Sequence, residues 1–194
     1  MARPKEFDTK RALAAAMNVF WRLGYENTSL EVLTREMGIA KQSLYDTFGD
    51  KRALYFKAMA FYREETNSSM RRALSSAPTV KQGFTDVFLA LIAESREQHE
   101  RGCLLLSANM ERAVDDQDIS EFLRANQAEV ESIFTEALRR AQRNGELPRE
   151  QDPGAWAKFF VVTLQGMRAM ARLKSDRRAL KQVAKLALAV FERP

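Results

Sequence analysis

The side chains best suited to chemistry lie in a short polar segment in the first quarter of the chain. Lys41 can pair with a phosphate, Gln42 can bind a base edge, and the Tyr45 hydroxyl can donate to a phosphate oxygen. Leu44 and Phe48 are four residues apart, so in a helix they share the opposite, inward face. The segment therefore predicts a short helix whose exposed face is suited to binding nucleic acid.

Glycines and capping residues divide the region around this segment into three helices. The first is predicted to begin after Asp8 or Thr9 and to end at Gly24, and the second ends at Gly38, just before the helix over 41–48. Two short helices joined by a tight turn, with a preceding helix to bury them, make a helix-turn-helix. The spacing of the residues fits an ordinary helical hairpin with a solvated face as well as it fits a DNA-binding helix-turn-helix.

Helical spacing of apolar residues continues to the end of the chain, and no segment shows the alternation of a strand. We expect an all-α protein of about nine helices, with a helix-turn-helix DNA-binding domain over residues 1–49. A larger effector-binding and dimerisation domain is predicted over residues 50–194, beginning with a long helix capped by Asp50. The later predicted helices are one marked by Phe84 to Ile92, 103–114, 119–143, one opened by Asp152 and Pro153, and one from Ser175 or Asp176 to near Phe191.

The composition is that of a soluble globular protein. Of 194 residues, 45% are hydrophobic and 29% charged, with a net charge of +5 that suits a nucleic-acid partner without proving one. The chain shows no apolar run of the roughly 20 residues that span a membrane, and no apolar signal core at its start, so we expect it in the cytoplasm. A single cysteine excludes an internal disulfide.

Enzyme and metal sites are not predicted. The chain has neither a glycine-rich phosphate loop nor a serine elbow, and His99 stands alone in a polar run where a solvated histidine is expected. The acidic group Asp115, Asp116 and Asp118 lacks the glycine and spaced glutamate of a calcium loop, so it is interpreted as a helix cap. We therefore expect no enzymatic activity, no cofactor and no bound metal.

Three separated motifs in the first 60 residues closely resemble the N-terminal signature of the TetR family of regulators. They read FWRLGYENTS at 20–29, MGIAKQSLY at 37–45 and FGDK at 48–51, in matching order and spacing. The resemblance implies a bacterial, two-fold symmetric dimer whose recognition helices enter successive major grooves of a palindromic operator. It also implies a C-terminal domain that binds a small molecule, moves the fourth helix and so releases the DNA, usually as a repressor.

The same resemblance assigns roles around the predicted recognition helix. Thr28 and Ser29 match phosphate-contacting positions, Tyr45 matches an aromatic phosphate contact, and Lys51 matches the lysine that opens the fourth helix. Variable positions within the recognition helix set sequence choice. The full predicted set of DNA contacts is Thr28, Ser29, Lys41, Gln42, Ser43, Tyr45 and Lys51. A basic arm, Arg3-Pro4-Lys5, could add a backbone or minor-groove contact, or be an uninvolved tail.

Two further interpretations remain open at this stage. One is a helical ligand-binding protein that does not bind DNA. The other concerns Cys103, which follows Arg101 and Gly102 at the start of a predicted helix, where a helix dipole and a guanidinium favour a nucleophilic thiolate. The segment 101–105, with Asn109 and Glu111, resembles a TetR subgroup that includes electrophile-responsive repressors. A free cysteine is also a common inert core residue.

The C-terminal domain is rich in phenylalanine and methionine, which suits an adaptable cavity for an aromatic or lipophilic effector. Each candidate wall residue could equally be ordinary core. The predicted pocket residues are Phe84, Phe88, Leu91, Cys103, Leu104, Met110, Phe134 and Phe160.

The last two helices carry apolar stripes that suit either a monomer core or a four-helix dimer contact, and the family resemblance favours the dimer. The predicted interface residues are Trp156, Thr163, Met167, Met170, Val183, Leu186 and Val190. A basic run that brackets the connection between these helices is interpreted as a solvated helix end. It comprises Arg168, Arg172, Lys174, Arg177, Arg178 and Lys181.

Overall fold

The part of the chain that the structure describes is all-helical, as the sequence predicts, and contains ten α-helices where about nine were expected. A computed structural model describes residues 7–174 and 176–192, so the arm at Arg3-Pro4-Lys5 and the candidate cap Ser175 lie outside the described residues. A short 3₁₀ helix, Ala189–Glu192, follows the last α-helix. The α-helices are α1 Thr9–Leu23, α2 Leu30–Met37, α3 Lys41–Phe48, α4 Lys51–Ser76, α5 Val80–Ala93, α6 Arg96–Arg101, α7 Leu104–Arg112, α8 Gln117–Arg143, α9 Pro153–Leu173 and α10 Arg177–Leu188.

Local signals fix the ends of the first helices. The Asp8 carboxylate accepts from the backbone N–H groups of the first turn of α1, and the Ser29 hydroxyl accepts from Val32 N–H at 3.2 Å to cap α2. Gly38 follows α2 in the left-handed region, with φ 66° and ψ 33°, where a glycine costs least. These caps hold α2 and α3 as two short helices separated by a tight turn.

The buried residues form two hydrophobic clusters. The first joins α1–α3 to the N-terminal half of α4, and it also takes in Leu104, Leu105 and Ala108 of α7 and Ile119 of α8. The second lies among α5, α8, α9 and α10 and is centred on phenylalanines. Helices α1–α3 therefore share one core with α7, a helix that lies more than 50 residues further along the chain.

Helix α6 falls in the run that the sequence predicts to be solvated. Ser95 and Gln98 form a capping box at its start, with Ser95 N–H donating to the Gln98 side chain at 2.7 Å. His99 is buried, only 1% exposed, and its Nε2 lies 2.9 Å from the Leu91 carbonyl. The expectation of a surface histidine was wrong, because a six-residue helix packed against α9 is too short to show a sequence period.

Among the residues that the structure describes, every helix is too short or too polar to cross a membrane.

Candidate functional site

The solvent-facing side of α3 carries the predicted DNA contacts of this helix. Lys41, Gln42 and Tyr45 are exposed, Ser43 is half-buried, and the opposite face is fixed in the core. Leu44 is fully buried beneath them. The helix thus presents a polar surface on a rigid support, as a recognition helix requires.

Side chains of α4 hold α3 in place from its C-terminal end. Lys57 Nζ donates to the Phe48 carbonyl at 2.7 Å, so it satisfies a carbonyl that the helix end leaves free. Lys51 Nζ lies 4.3 Å from the centre of the Tyr25 ring, a cation–π contact that keeps this ammonium beside the turn between α1 and α2. A movement of α4 would therefore move the recognition helix with it.

Gln42 is already hydrogen-bonded within its own helix. Its Nε2 donates to Asp46 Oδ1 at 2.8 Å, one turn further along. Asp46 therefore orients the amide of Gln42 on the exposed face of α3.

Thr28 and Ser29 behave differently at the start of α2. The Ser29 side chain is exposed and caps the helix, close to N–H groups that can bind an anion. Thr28 is buried, and its hydroxyl donates to the Gly24 carbonyl at 2.6 Å. The structure therefore places Thr28 as a residue that shapes the turn, with Ser29 at the surface.

Ion pairs connect the start of α4 to the start of α8. Arg52 of α4 donates to Asp116 at 2.9 Å and to Asp118 at 2.8 Å. Burial tends to raise the pKa of Asp116, but the Ile119 N–H and the Arg52 guanidinium hold it below its ordinary value. Asp116 also caps α8, so the acidic group serves as the predicted helix cap.

A cavity of about 490 Å³ opens between α1, α4, α5, α8 and α9. Its apolar wall includes Met17 and Trp21 of α1, so α1 itself borders this cavity, which we call the α1 cavity. A second cavity of similar volume lies between α7, α8 and α9. The two have five lining residues in common, which makes them neighbouring chambers. The shared residues are Cys103, Leu105, Asn126, Gln165 and Arg168.

A compact polar cluster stands where the chambers meet. Burial raises the pKa of the Tyr62 hydroxyl well above its usual value; the adjacent Cys103 thiol raises it further, whereas Arg168 lowers it. Arg168 Nη1 donates to Glu94 Oε1 at 3.2 Å. The cluster therefore joins α4, α7 and α9 through polar groups inside an otherwise apolar region.

The predicted pocket residues divide into three groups. Leu91 and Cys103 line the α1 cavity. Leu104 is buried in the N-terminal cluster, and Met110 is 77% exposed on the surface of α7. The four phenylalanines pack on one another, with Phe84 and Phe160 ring centres 4.4 Å apart, and form solid core beside the cavity. They are Phe84, Phe88, Phe134 and Phe160.

The predicted dimer residues also divide between surface and core. Met170, Val183 and Leu186 are exposed on α9 and α10, whereas Met167 and Val190 are buried within the chain. Trp156 and Thr163 are half-buried. The exposed group is enlarged by apolar side chains that the sequence reasoning did not select, namely Phe159, Val162 and Leu173.

The basic run is less solvated than predicted. Arg168 is half-buried and lines both chambers, and Arg177 donates to the Glu94 carbonyl at 2.8 Å. A sequence signal for Arg168 did exist. It lies four residues after Leu164 and three before Ala171, both buried, so it falls on the inward stripe of α9. A cation in an apolar stripe marks a polar interior site.

Comparisons with known proteins agree with this architecture. A family model described as bacterial regulatory proteins, tetR family, matches residues 12–58, and one described as tetracyclin repressor-like, C-terminal domain, matches residues 82–187. An uncharacterized HTH-type transcriptional regulator of Bacillus subtilis, YezE, is 31% identical over 99% of this chain and 100% of that protein. The HTH-type transcriptional repressor ComR of Escherichia coli is 29% identical over 94% and 88%.

A solved structure of a TetR family regulator is also similar to this chain. It is a cysteine-substituted form of the TetR family regulator CifR, complexed with double-strand operator DNA. It has a TM-score of 0.85 and 33% identity over 96% of this chain and 98% of that one. The fold and the polar face of α3 define a helix-turn-helix DNA-binding transcriptional regulator. The chain belongs to the TetR family.

Proposed function

We propose that this regulator is a homodimeric repressor of a palindromic operator, released when a small molecule enters the α1 cavity. The observation that carries the proposal is the shared wall: Met17 and Trp21 of the DNA-binding domain line that cavity together with residues of α4 and α5. A ligand there would contact the DNA-binding domain directly. It would also press on α4, which is bonded to the end of α3 through Lys57.

On DNA, we assign the exposed polar residues to two tasks. Ser29, Lys41, Tyr45 and Lys51 contact phosphates and fix the position of the protein, whereas Gln42 and Ser43 reach base edges. Thr28 supports the turn from within. This division makes different predictions for variants of the two groups.

Selection of bound sequences from random DNA, followed by fluorescence anisotropy on the selected site, tests the assignment. Tyr45→Phe should weaken binding by a similar factor for every sequence, whereas Gln42→Ala should change which bases are tolerated. Affinity should fall steeply with salt, by about 0.9 decades per decade of salt for each phosphate contact. Absence of specific binding at low salt would refute the proposal, and an unchanged preference in Gln42→Ala would refute the role of that residue.

The dimer is assigned to the exposed faces of α9 and α10. Val162 is 64% exposed, Leu173 81% and Leu186 76%, an unusual amount of apolar surface on adjacent helices. A two-fold axis would pack these helices on their copies as a four-helix contact. The arrangement would place two copies of α3 on one side of the dimer.

Light scattering at several protein concentrations tests the dimer. Leu186→Glu should shift the protein to monomer and abolish tight binding to a two-half-site operator. Leu89→Glu is the matched control, since Leu89 is an apolar residue that is 46% exposed but belongs to α5, not to α9 or α10. Equal dimerisation of both variants and the wild type would contradict the assigned surface.

A second mode of release is favoured by the position of Cys103. Its side chain lines both chambers beside Tyr62, so a ligand in either one can meet the thiol. The Cys103 thiolate would add to the β-carbon of an α,β-unsaturated carbonyl compound. A carbon–sulfur bond forms as the carbon–carbon π bond breaks, and the α-carbon takes up a proton from solvent.

N-ethylmaleimide tests this second mode. The wild type should gain one adduct by mass spectrometry and lose operator affinity, whereas Cys103→Ser should do neither. Equal loss of binding in both proteins would remove Cys103 from the mechanism.

A further inference from the structure

The junction of the two chambers combines a charged donor with an apolar surround. Arg168 lines both chambers, and its side chain is 23% exposed. A guanidinium carries five N–H donors. Within residues 7–174 and 176–192, its hydrogen bond is the one to Glu94. A molecule in either chamber therefore meets N–H groups that can still donate.

The charge at this junction is balanced before any ligand arrives. Arg168 and Glu94 form an ion pair in which the two side chains are exposed to a similar small extent, 23% and 22%. A ligand carboxylate would add a second negative charge beside Glu94 in a site largely removed from water, which is costly. A carbonyl oxygen accepts the same hydrogen bond without adding a charge.

The rest of the α1 cavity favours a ligand with an apolar body. Trp21, Phe61 and Met70 lie on its wall with Val161 and Leu164, and a volume of about 490 Å³ accommodates a molecule of drug size. Aromatic and thioether side chains adapt to a flat hydrocarbon. The ligand should then place its apolar part among these residues and its acceptor at Arg168.

We infer that the effector is an uncharged carbonyl compound with an apolar, aromatic body, held by a hydrogen bond from Arg168 to its carbonyl oxygen. The inference rests on the proposed function of the cavity as an effector site. It narrows the broad aromatic or lipophilic class expected from the sequence. It also makes Arg168 the residue that distinguishes a carbonyl compound from a hydrocarbon of the same shape.

Three naphthalenes test this by equilibrium dialysis against the full chain: 2-acetylnaphthalene, 2-ethylnaphthalene and 2-naphthoate. The ketone should bind at least about tenfold more tightly than the hydrocarbon, because it gains one hydrogen bond from a charged donor. It should also bind more tightly than the carboxylate. Arg168→Met should reduce the preference for ketone over hydrocarbon to within about twofold. Arg172→Met is the control, because Arg172 is exposed on the same helix and bonds to Ser107 instead.

Removing Arg168 alone leaves Glu94 without its partner, so the double variant Arg168→Met, Glu94→Gln is measured as well, with circular dichroism as the check of folding. Three results would each overturn the inference. They are equal affinity of the wild type for the ketone and the hydrocarbon, tighter binding of 2-naphthoate than of the ketone, and an intact preference for the ketone in the double variant. Failure of all three probes to bind folded wild type would also overturn it. Operator binding without probe, measured on the same samples, tests the proposed function separately.

Discussion

Trp21 of α1 donates its indole N–H to the carbonyl of Gly102, 81 residues away, at 3.0 Å. The centres of the Trp21 and Tyr62 rings lie 4.9 Å apart in a T-shaped arrangement, and the Arg101 guanidinium lies 5.0 Å from the indole centre. The residue after Gly102 is Cys103, which lines the cavity. One side chain of the DNA-binding domain is thus bonded to the edge of the proposed effector site.

Replacing Trp21 with phenylalanine tests how far this bond couples the two domains. Trp21→Phe keeps an aromatic ring but loses the donor, so the free energy of unfolding should fall by about 1 kcal/mol. Hydrogen exchange should show faster opening of α1 and α7, with α9 little changed. Trp156→Phe is the control, since its indole donates to Gln151 instead and its loss should affect α9. An identical exchange pattern in both variants would contradict the coupling.

Gly102 should be difficult to replace. Its φ of 69° and ψ of −143° fall in a region that is essentially restricted to glycine, and an added Cβ would lie 3.1 Å from Arg172 Cδ. Gly102→Ala should therefore lower the free energy of unfolding by about 1–3 kcal/mol, measured by urea denaturation.

Gly38→Ala is the matched control for Gly102→Ala. Gly38 also has a positive φ, but it lies in the ordinary left-handed region and an added Cβ meets nothing within 4 Å. Its replacement should cost roughly 1 kcal/mol. A larger loss for Gly38→Ala than for Gly102→Ala would show that the strain at residue 102 is relieved by movement of the chain.

The parts of the fold that the sequence predicted are those fixed by local chemistry. Asp8, Ser29, Asp50 and Asp116 cap helices in the structure, and each is a residue type that binds free N–H groups within three positions. The inward face of α3 was predicted from the four-residue spacing of Leu44 and Phe48, which is also a relationship within one helical turn. Short-range rules suffice where the partner lies within one turn.

The parts that the sequence did not predict depend on packing between distant segments. Helical spacing shows that Phe84 and Phe160 are buried, but not whether their rings pack together or border a void; in the structure they pack. Likewise nothing local in α1 indicates that Met17 and Trp21 face a cavity bounded by α5 and α9. Cavity walls are set by how helices fit, which spacing along one helix does not record.

Asp46 should control both the strength and the selectivity of DNA binding. Asp46→Ala removes a negative charge from the face of α3, so affinity should rise about two- to fivefold for all sequences. It also frees Gln42, whose Nε2 donates to Asp46 Oδ1, so discrimination between bases should fall. Asp46→Asn is the control: it removes the charge but keeps an oxygen acceptor, and should retain the discrimination. Loss of discrimination in both variants would show that charge, and not orientation of Gln42, matters.

The contact between α4 and α8 should give the regulator an acid-sensitive component of stability. Arg71 Nη2 donates to Glu129 at 2.7 Å, and Arg63 Nε lies 3.8 Å from the same carboxylate. The Arg71 bond, opposed by burial and assisted by Asn67 and Arg63, holds the pKa of Glu129 below its ordinary value. Because the folded state then binds a proton less readily than the unfolded state, this contribution is full above the ordinary glutamate pKa. It is lost as the pH falls through the lowered value.

Glu129→Gln isolates that contribution. At neutral pH the variant should be less stable than the wild type, by no more than about 1 kcal/mol because the pair is partly exposed. The difference between the two proteins should shrink when urea denaturation is repeated at about pH 3.5 instead of about pH 7.5. Arg71→Gln removes the other partner of the ion pair. In a protein that carries Arg71→Gln, the further change Glu129→Gln should therefore lower the stability by less than it does in the wild type. A gap between wild type and Glu129→Gln that stays constant with pH would show that the lowered pKa of Glu129 does not contribute to stability.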